Sequence, residues 1–167
     1  MNLYLIRHAI AVEPGTPGYE QDSQRPLTEK GRKKMESIAT GLQSLGVEFE
    51  LILSSPYLRA RQTADILADV FVMKDRPVIS ENLTPMSDFA ELIGEINEKY
   101  PADNLALVGH EPALSGLISL LLAGNDGVSI NMKKGGVCCL SLENLRYSRS
   151  ATLEWFLTPA QLVKLSE

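Results

Sequence analysis

NLYLIRH, residues 2–8, puts a short apolar run directly against an arginine and a histidine. Asn2 to Ile6 is too short for a helix and reads as a strand buried on both faces. Two later runs repeat the design. Leu51 to Leu53 leads into SSPYLRARQTA, residues 54–64, and Leu105 to Val108 leads into VGHEP, residues 108–112. Each run is followed by a helical pattern. The first helix starts near Thr28, an N-cap with Glu29 in its first turn. It carries Met35, Ile38, Ala39, Leu42 and Leu45 at helical spacing and closes at Gly46. The second runs from about Leu58 to Phe71. Another, with Phe89, Leu92, Ile93, Ile96 and Tyr100 on one face, precedes the third strand. Pro112 suits the first position of a helix reaching about Ala123.

Val78 and Ile79 add a minor strand. GVCCLSL (136–142) and ATLEWFL (151–157) read as a hairpin, and a short helix starts at Pro159. Strands alternating with helices predict a three-layer α/β/α sandwich, its central sheet mainly parallel with an antiparallel edge. With no internal repeat or linker, residues 1–167 are expected to form one domain.

The net charge of −5 argues against nucleic acid as a partner, and no apolar run reaches membrane-spanning length. MNLYLI runs straight into Arg7 with no cleavage site, so the expected location is cytoplasmic. Cys138 and Cys139 adjoin on a predicted strand and point to opposite faces, so they fill the core rather than pair. No metal-ligand spacing is present, and neither a metal nor another cofactor is expected. The Lys133-Lys134-Gly135-Gly136 segment lacks the Walker order and reads as a solvated turn.

The chain's two histidines, His8 and His110, each follow a predicted strand, and Arg59 follows the remaining one. A single histidine after a strand is ordinarily a loop or packing residue. Three such groups beyond the carboxyl ends of three parallel strands mark the edge where open α/β sheets bind ligands. Arg59 near a helix start opposes the helix dipole, which makes sense if an anion sits beside it.

Arg7-His8, SSPYLRARQTA and the late Gly-His together resemble the histidine phosphatase, or phosphoglycerate mutase-like, superfamily. RPLTEKG (25–31), ENLTP (81–85) and VGHEPALSGL (108–117) are similar to the SixA-type phosphohistidine phosphatases within it. The resemblance implies that His8 is a nucleophile that becomes phosphorylated. It also implies that Arg7 and Arg59 hold the phosphoryl oxygens, that His110 donates to phosphate, and that Arg25 lies near the substrate. The expected partner is a histidine-phosphorylated protein, such as a phosphotransfer domain of two-component signalling. Ala9 stands where the superfamily usually has glycine, which raises the question of local backbone fit. Glu81 is the nearest candidate for a general acid, though an exposed loop glutamate is its ordinary reading.

Phosphoryl transfer needs positioning and charge neutralisation above all, which paired arginine donors supply. An imidazole leaving group departs more easily than an alkoxide, so the missing obvious acid favours phosphohistidine. The short chain leaves little room for a capping insertion, so an open pocket is expected. The rival readings are a phosphatase or mutase for small phosphate esters, and a phosphate-binding module without catalysis.

Overall fold

A computed structural model describes residues 1–167. Its order is β1 (Asn2–Arg7), α1 (Glu29–Ser44), β2 (Leu51–Ser54), α2 (Leu58–Val70), β3 (Val78–Ile79), α3 (Phe89–Lys99), β4 (Asn104–Gly109), α4 (Ala113–Ala123), β5 (Val137–Leu142), β6 (Ala151–Leu157) and α5 (Pro159–Leu165). The six strands form one sheet in the order β3-β2-β4-β1-β5-β6. The first four are parallel, and β5 and β6 extend the sheet antiparallel beyond β1.

Strand alternation divides the core between two faces. Tyr4, Ile6, Ile52, Ala106, Val108 and Cys139 face α1, α2 and α5. Leu3, Leu5, Leu53, Leu105, Leu107 and Cys138 face α3 and α4. The three-layer sandwich expected from the sequence is therefore the one observed. The two cysteines are buried, free and on opposite faces. At Gly41 a Cβ would lie 2.0 Å from the Leu162 carbonyl oxygen, so only glycine lets α5 seat against α1.

Two local features depart from the sequence reading. Pro112 follows a cis peptide bond and is the residue before α4, which begins at Ala113 rather than at the proline. The long loop after β1 is tied down: Ala11 bridges to Leu27, Asp22–Gln24 forms a 3₁₀ turn, and the Thr28 N–H donates to the Ile10 carbonyl at 3.0 Å.

Register positions the site. Arg7 pairs with Gly109, Ile6 with Val108, and Ser54 with Val108 on the other side of β4. The ladder continues one step: the His8 N–H donates to the Gly109 carbonyl and the Ser55 N–H to the Val108 carbonyl, both at 3.0 Å. Parallel neighbours about 4.8 Å apart thus end level, with His8, His110 and Ser55 side by side at the carboxyl edge.

Candidate active site

The imidazole centroids of His8 and His110 are 5.1 Å apart, close to the strand spacing that sets them. His8 Nδ1 lies 2.8 Å from the Ala9 carbonyl oxygen. A carbonyl only accepts, so the ring proton is on Nδ1 and the lone pair is on Nε2. The Arg59 Nε–H points at that lone pair, at 3.2 Å. Ser55 Oγ accepts from the Tyr57 N–H at 3.3 Å and lies 2.8 Å from His110 Nε2. A hydroxyl both donates and accepts, so this contact fits a His110 ring proton on Nε2 or on Nδ1. That Nδ1 is buried without a partner, as is Arg7 Nε. Buried polar atoms left open are unusual in folded proteins; these two belong to one pocket.

Burial is the first cause that lowers His8 to about 3, with His110, Arg59 and Arg7 adding to it against the Ala9 hydrogen bond. Burial likewise lowers His110 to about 3, aided by Arg59, Arg25 and Arg7 and opposed by Asp22. Both rings are neutral at pH 7, so His8 presents a free lone pair.

Arg59, early in α2, is buried. Its Nη1 donates to the Asp22 carbonyl at 2.7 Å and its Nη2 to the Asp22 carboxylate at 3.0 Å, while the Tyr57 ring lies 5.0 Å from its Cζ. Arg25 grips the same carboxylate through Nε at 2.8 Å and Nη2 at 2.6 Å. Burial pushes Asp22 up, but donation from Arg25 and Arg59 outweighs it and holds the carboxyl below its usual range. The anion expected beside Arg59 is, in this state, Asp22. Thr63 locks α2 to β1: its Oγ1 accepts from the Ala9 N–H at 3.0 Å and donates to the Arg59 carbonyl at 2.7 Å.

Arg7, His8, Arg25, Arg59 and His110, with Glu13, Pro14, Glu111 and Lys134, line a cavity of ≈ 250 Å³. His8, His110, Arg25 and Arg59 are its buried members, and Arg7, Glu13, Glu111 and Lys134 its more exposed ones. A larger cleft of ≈ 710 Å³ involves Met1, Glu50, Asp103 and Arg146, at the sheet's other edge. It holds none of the predicted residues, so volume is a poor guide to the chemistry here. No group of three or more His, Cys, Asp or Glu side chains is placed to bind a metal ion.

Residues 3–87 match the model of the histidine phosphatase superfamily (branch 1), which is just over half of the chain. The chain belongs to the histidine phosphatase superfamily. Its enzyme class is therefore phosphatase. An uncharacterized protein of Picosynechococcus sp. is 37% identical over 94% of both chains. The phosphohistidine phosphatase SixA of Escherichia coli is 26% identical, over 97% of this chain and 96% of SixA. A structure of the protein histidine phosphatase SixA complexed with tungstate superposes with a TM-score of 0.78 at 26% identity, covering 97% of this chain and 99% of that one.

Five of the six residues singled out in the sequence, Arg7, His8, Arg25, Arg59 and His110, meet in this pocket. Glu81 does not. It is exposed in a 3₁₀ turn after β3 and is not among the pocket residues, so it is withdrawn as the acid. Lys134 corrects the reading of its segment: Lys133 is exposed, but Lys134 lines the pocket and lies 3.6 Å from Glu13. Ala9 is buried with an ordinary negative φ, so the methyl group fits where the superfamily usually has glycine. Asp22, Thr63, Ser55 and Glu111 were missed. Of these, only Asp22 left a trace, as an acid three residues before Arg25.

Proposed function

We propose that the protein hydrolyses phosphohistidine on another protein, with His8 as the nucleophile. The observation that carries this reading is the fixed tautomer of His8: a neutral ring with Nδ1–H held by Ala9 and the Nε2 lone pair turned into a pocket of arginines. His8 Nε2 attacks phosphorus, and the substrate's P–N bond breaks with its electron pair going to the departing nitrogen. When the distal nitrogen of that ring already carries a proton, a neutral imidazole leaves. His8 then holds the phosphoryl group as a phosphoimidazolium with Nδ1–H still on Ala9. Water cleaves the new P–N bond, its proton passes to phosphate, and His8 regains its lone pair. Such a nitrogen-to-nitrogen relay splits hydrolysis into two steps of similar chemistry.

Arg7 and Arg59 neutralise the phosphoryl oxygens, and His110, in the Nδ1–H tautomer that the Ser55 contact allows, donates to one of them. Arg25 supports Arg59 through their shared Asp22. The open Arg7 Nε and, in that tautomer, His110 Nδ1 are the donors that such an anion would satisfy. The SixA likeness supports the substrate class, and tungstate in that protein is a tetrahedral oxyanion of the same shape as phosphate. We propose phosphotransfer domains of two-component signalling as the physiological partners. The domain spans residues 1–167 and works without a bound cofactor in this scheme.

The test is incubation with a histidine-phosphorylated phosphotransfer domain. Phosphate release, an acid-labile label on His8, and loss of both in His8→Ala are expected. Release that persists in His8→Ala rejects the nucleophile. The small-ester reading asked for Glu81 as acid, and its absence from the pocket counts against that form of it.

A further inference from the structure

Glu111 lines the pocket, and the phosphoryl transfer to His8 gives it no role. It follows His110 directly, is half-buried, and shares the cavity with Arg7 and His8. Its carboxylate is fixed: Oε1 accepts from the Ser115 N–H at 3.0 Å and Oε2 from the Ser115 hydroxyl at 2.7 Å. Each oxygen keeps a lone pair for another donor. Glu111 enters no ion pair. Glu13, the cavity's other glutamate, differs on both points. Its side chain is 74% exposed and it pairs with Lys134.

A fixed carboxylate that acts on Arg7 through space but forms no direct ion pair is a liability in a site that takes only phosphate. It repels the phosphoryl oxygens and offsets part of the charge of Arg7. It becomes an asset when the substrate is positive on one side and negative on the other. A protonated phosphohistidine is such a group: the phosphoryl end is anionic, and the ring, with its distal N–H, is cationic.

We propose that Glu111 accepts the distal N–H of the substrate's phosphoimidazole ring and holds it protonated, so selecting phosphohistidine over phosphate esters. The proposal rests on the phosphohistidine reading. Glu111 is a specificity residue within it; it transfers no proton itself. The proton stays on the distal nitrogen while the P–N bond breaks, and the ring leaves as neutral imidazole. An ester's leaving oxygen offers no N–H to Glu111 and meets only its negative charge.

Other charges face the same space from every wall. Arg7 at the end of β1 and Lys134 before β5 oppose protonation of a nearby ring, as do Arg25 and Arg59 from the loop and α2. Glu13 is engaged with Lys134, and Asp22 with the two arginines. His8 and His110 are neutral at working pH. Glu111 is thus the anion left to stabilise a cationic ring.

An opposite charge at hydrogen-bond distance raises an imidazole pKa by about one unit or more. Starting from about 6.5, a rise of one unit takes the protonated fraction at pH 8 from about 3% to about 24%. At pH 6 the same rise takes it only from about 76% to about 97%. The effect of Glu111 on kcat is therefore about eightfold at pH 8 and under twofold at pH 6.

The experiment compares wild type with Glu111→Gln, which removes the charge and keeps one oxygen to accept from the Ser115 N–H, while its NH2 can donate to the Ser115 hydroxyl, whose own hydrogen turns to the Pro112 carbonyl. The substrates are a histidine-phosphorylated phosphotransfer domain and p-nitrophenyl phosphate. Expected for Glu111→Gln is an alkaline limb of kcat on the phosphoprotein moved about one pH unit lower. KM for the ester should fall, since a repulsive charge has gone. Superimposable pH profiles on the phosphoprotein overturn the inference while leaving the phosphohistidine reading intact. A loss on both substrates alike, with a higher KM for the ester, also overturns it, because that is the signature of a damaged site. Wild type inert toward the phosphoprotein rejects the phosphohistidine reading itself.

Discussion

Lowering the pH from 7 to 5 should cost this protein several kcal/mol of stability, and two residues should account for nearly all of it. His8 and His110 are held to about 3 in the folded chain, against about 6.5 when exposed. Their folded pKa values are depressed, so the unfolded chain takes up protons first as the pH falls. Their penalty is absent above pH 6.5 and grows between 6.5 and about 3, at about 1.4 kcal/mol per pH unit for each ring. Integration from pH 7 to pH 5 gives about 1.9 kcal/mol per histidine and about 4 kcal/mol for both. The figure hardly changes if a folded value is 4 rather than 3, because either lies well below pH 5. No other imidazole can contribute, since the chain has only these two. Asp22, whose carboxyl is also depressed, loses its stabilising effect only at lower pH, below its ordinary carboxylate range.

Urea unfolding at pH 7 and pH 5, in buffers free of phosphate and other oxyanions, measures the drop. His8→Asn and His110→Asn should each halve the pH dependence, whatever they do to absolute stability. A wild-type free energy that is flat between the two pH values refutes the reasoning. So does a full-sized drop in either variant, since neither ring would then be the proton acceptor that distinguishes the two states.

Arg59→Lys keeps the charge but can satisfy only some of the contacts to His8 and Asp22, so kcat/KM on the phosphoprotein should fall about a hundredfold or more, from losing one to two charge-assisted bonds; retention within fivefold would contradict this. Thr63→Val strands the buried Ala9 N–H and should lower unfolding free energy by about 1–3 kcal/mol, read from denaturant midpoints. Gly41→Ala should displace α5, because its methyl group would overlap the Leu162 carbonyl; rapid proteolysis near α5 with a loss of about 2 kcal/mol or more is expected.

The parts of the site that the sequence disclosed are those that strand ends determine. An apolar run followed by a helix places the next side chain at the carboxyl edge, whatever the order of strands in the sheet, so Arg7, His8, Arg59 and His110 could be read directly. What remained hidden depends on that order and on which way a side chain points. Glu81 also follows a strand, and its turn passes the end of β4, where the Leu83 carbonyl oxygen lies 3.6 Å from the place of a Gly109 Cβ, but the Glu81 side chain faces solvent and lines no part of the pocket. Lys134 precedes a strand and looked irrelevant. Yet β5 runs antiparallel beside β1, which brings the start of β5 to the end of β1, and the Gly135 N–H donates to the Arg7 carbonyl at 3.0 Å. Asp22 meets Arg59 across 37 residues, a contact no periodicity encodes.

The neutrality of His8 and its burial are one fact seen from two sides. A solvent-exposed imidazole among arginines would still be protonated part of the time near pH 6, and its lone pair would be lost to that proton. Seating His8 and His110 at 5% and 2% exposure removes the competing proton across the whole neutral range. The same desolvation strengthens the attraction between the arginines and an incoming phosphoryl group. Its cost is an acid-sensitive stability, carried permanently by the resting fold. It follows that a substitution that opens the site to water should make the protein more stable at pH 5 and a weaker nucleophile at the same time. Stability and reactivity should therefore move in opposite directions along any such series, which neither a purely structural histidine nor a purely phosphate-binding one would require.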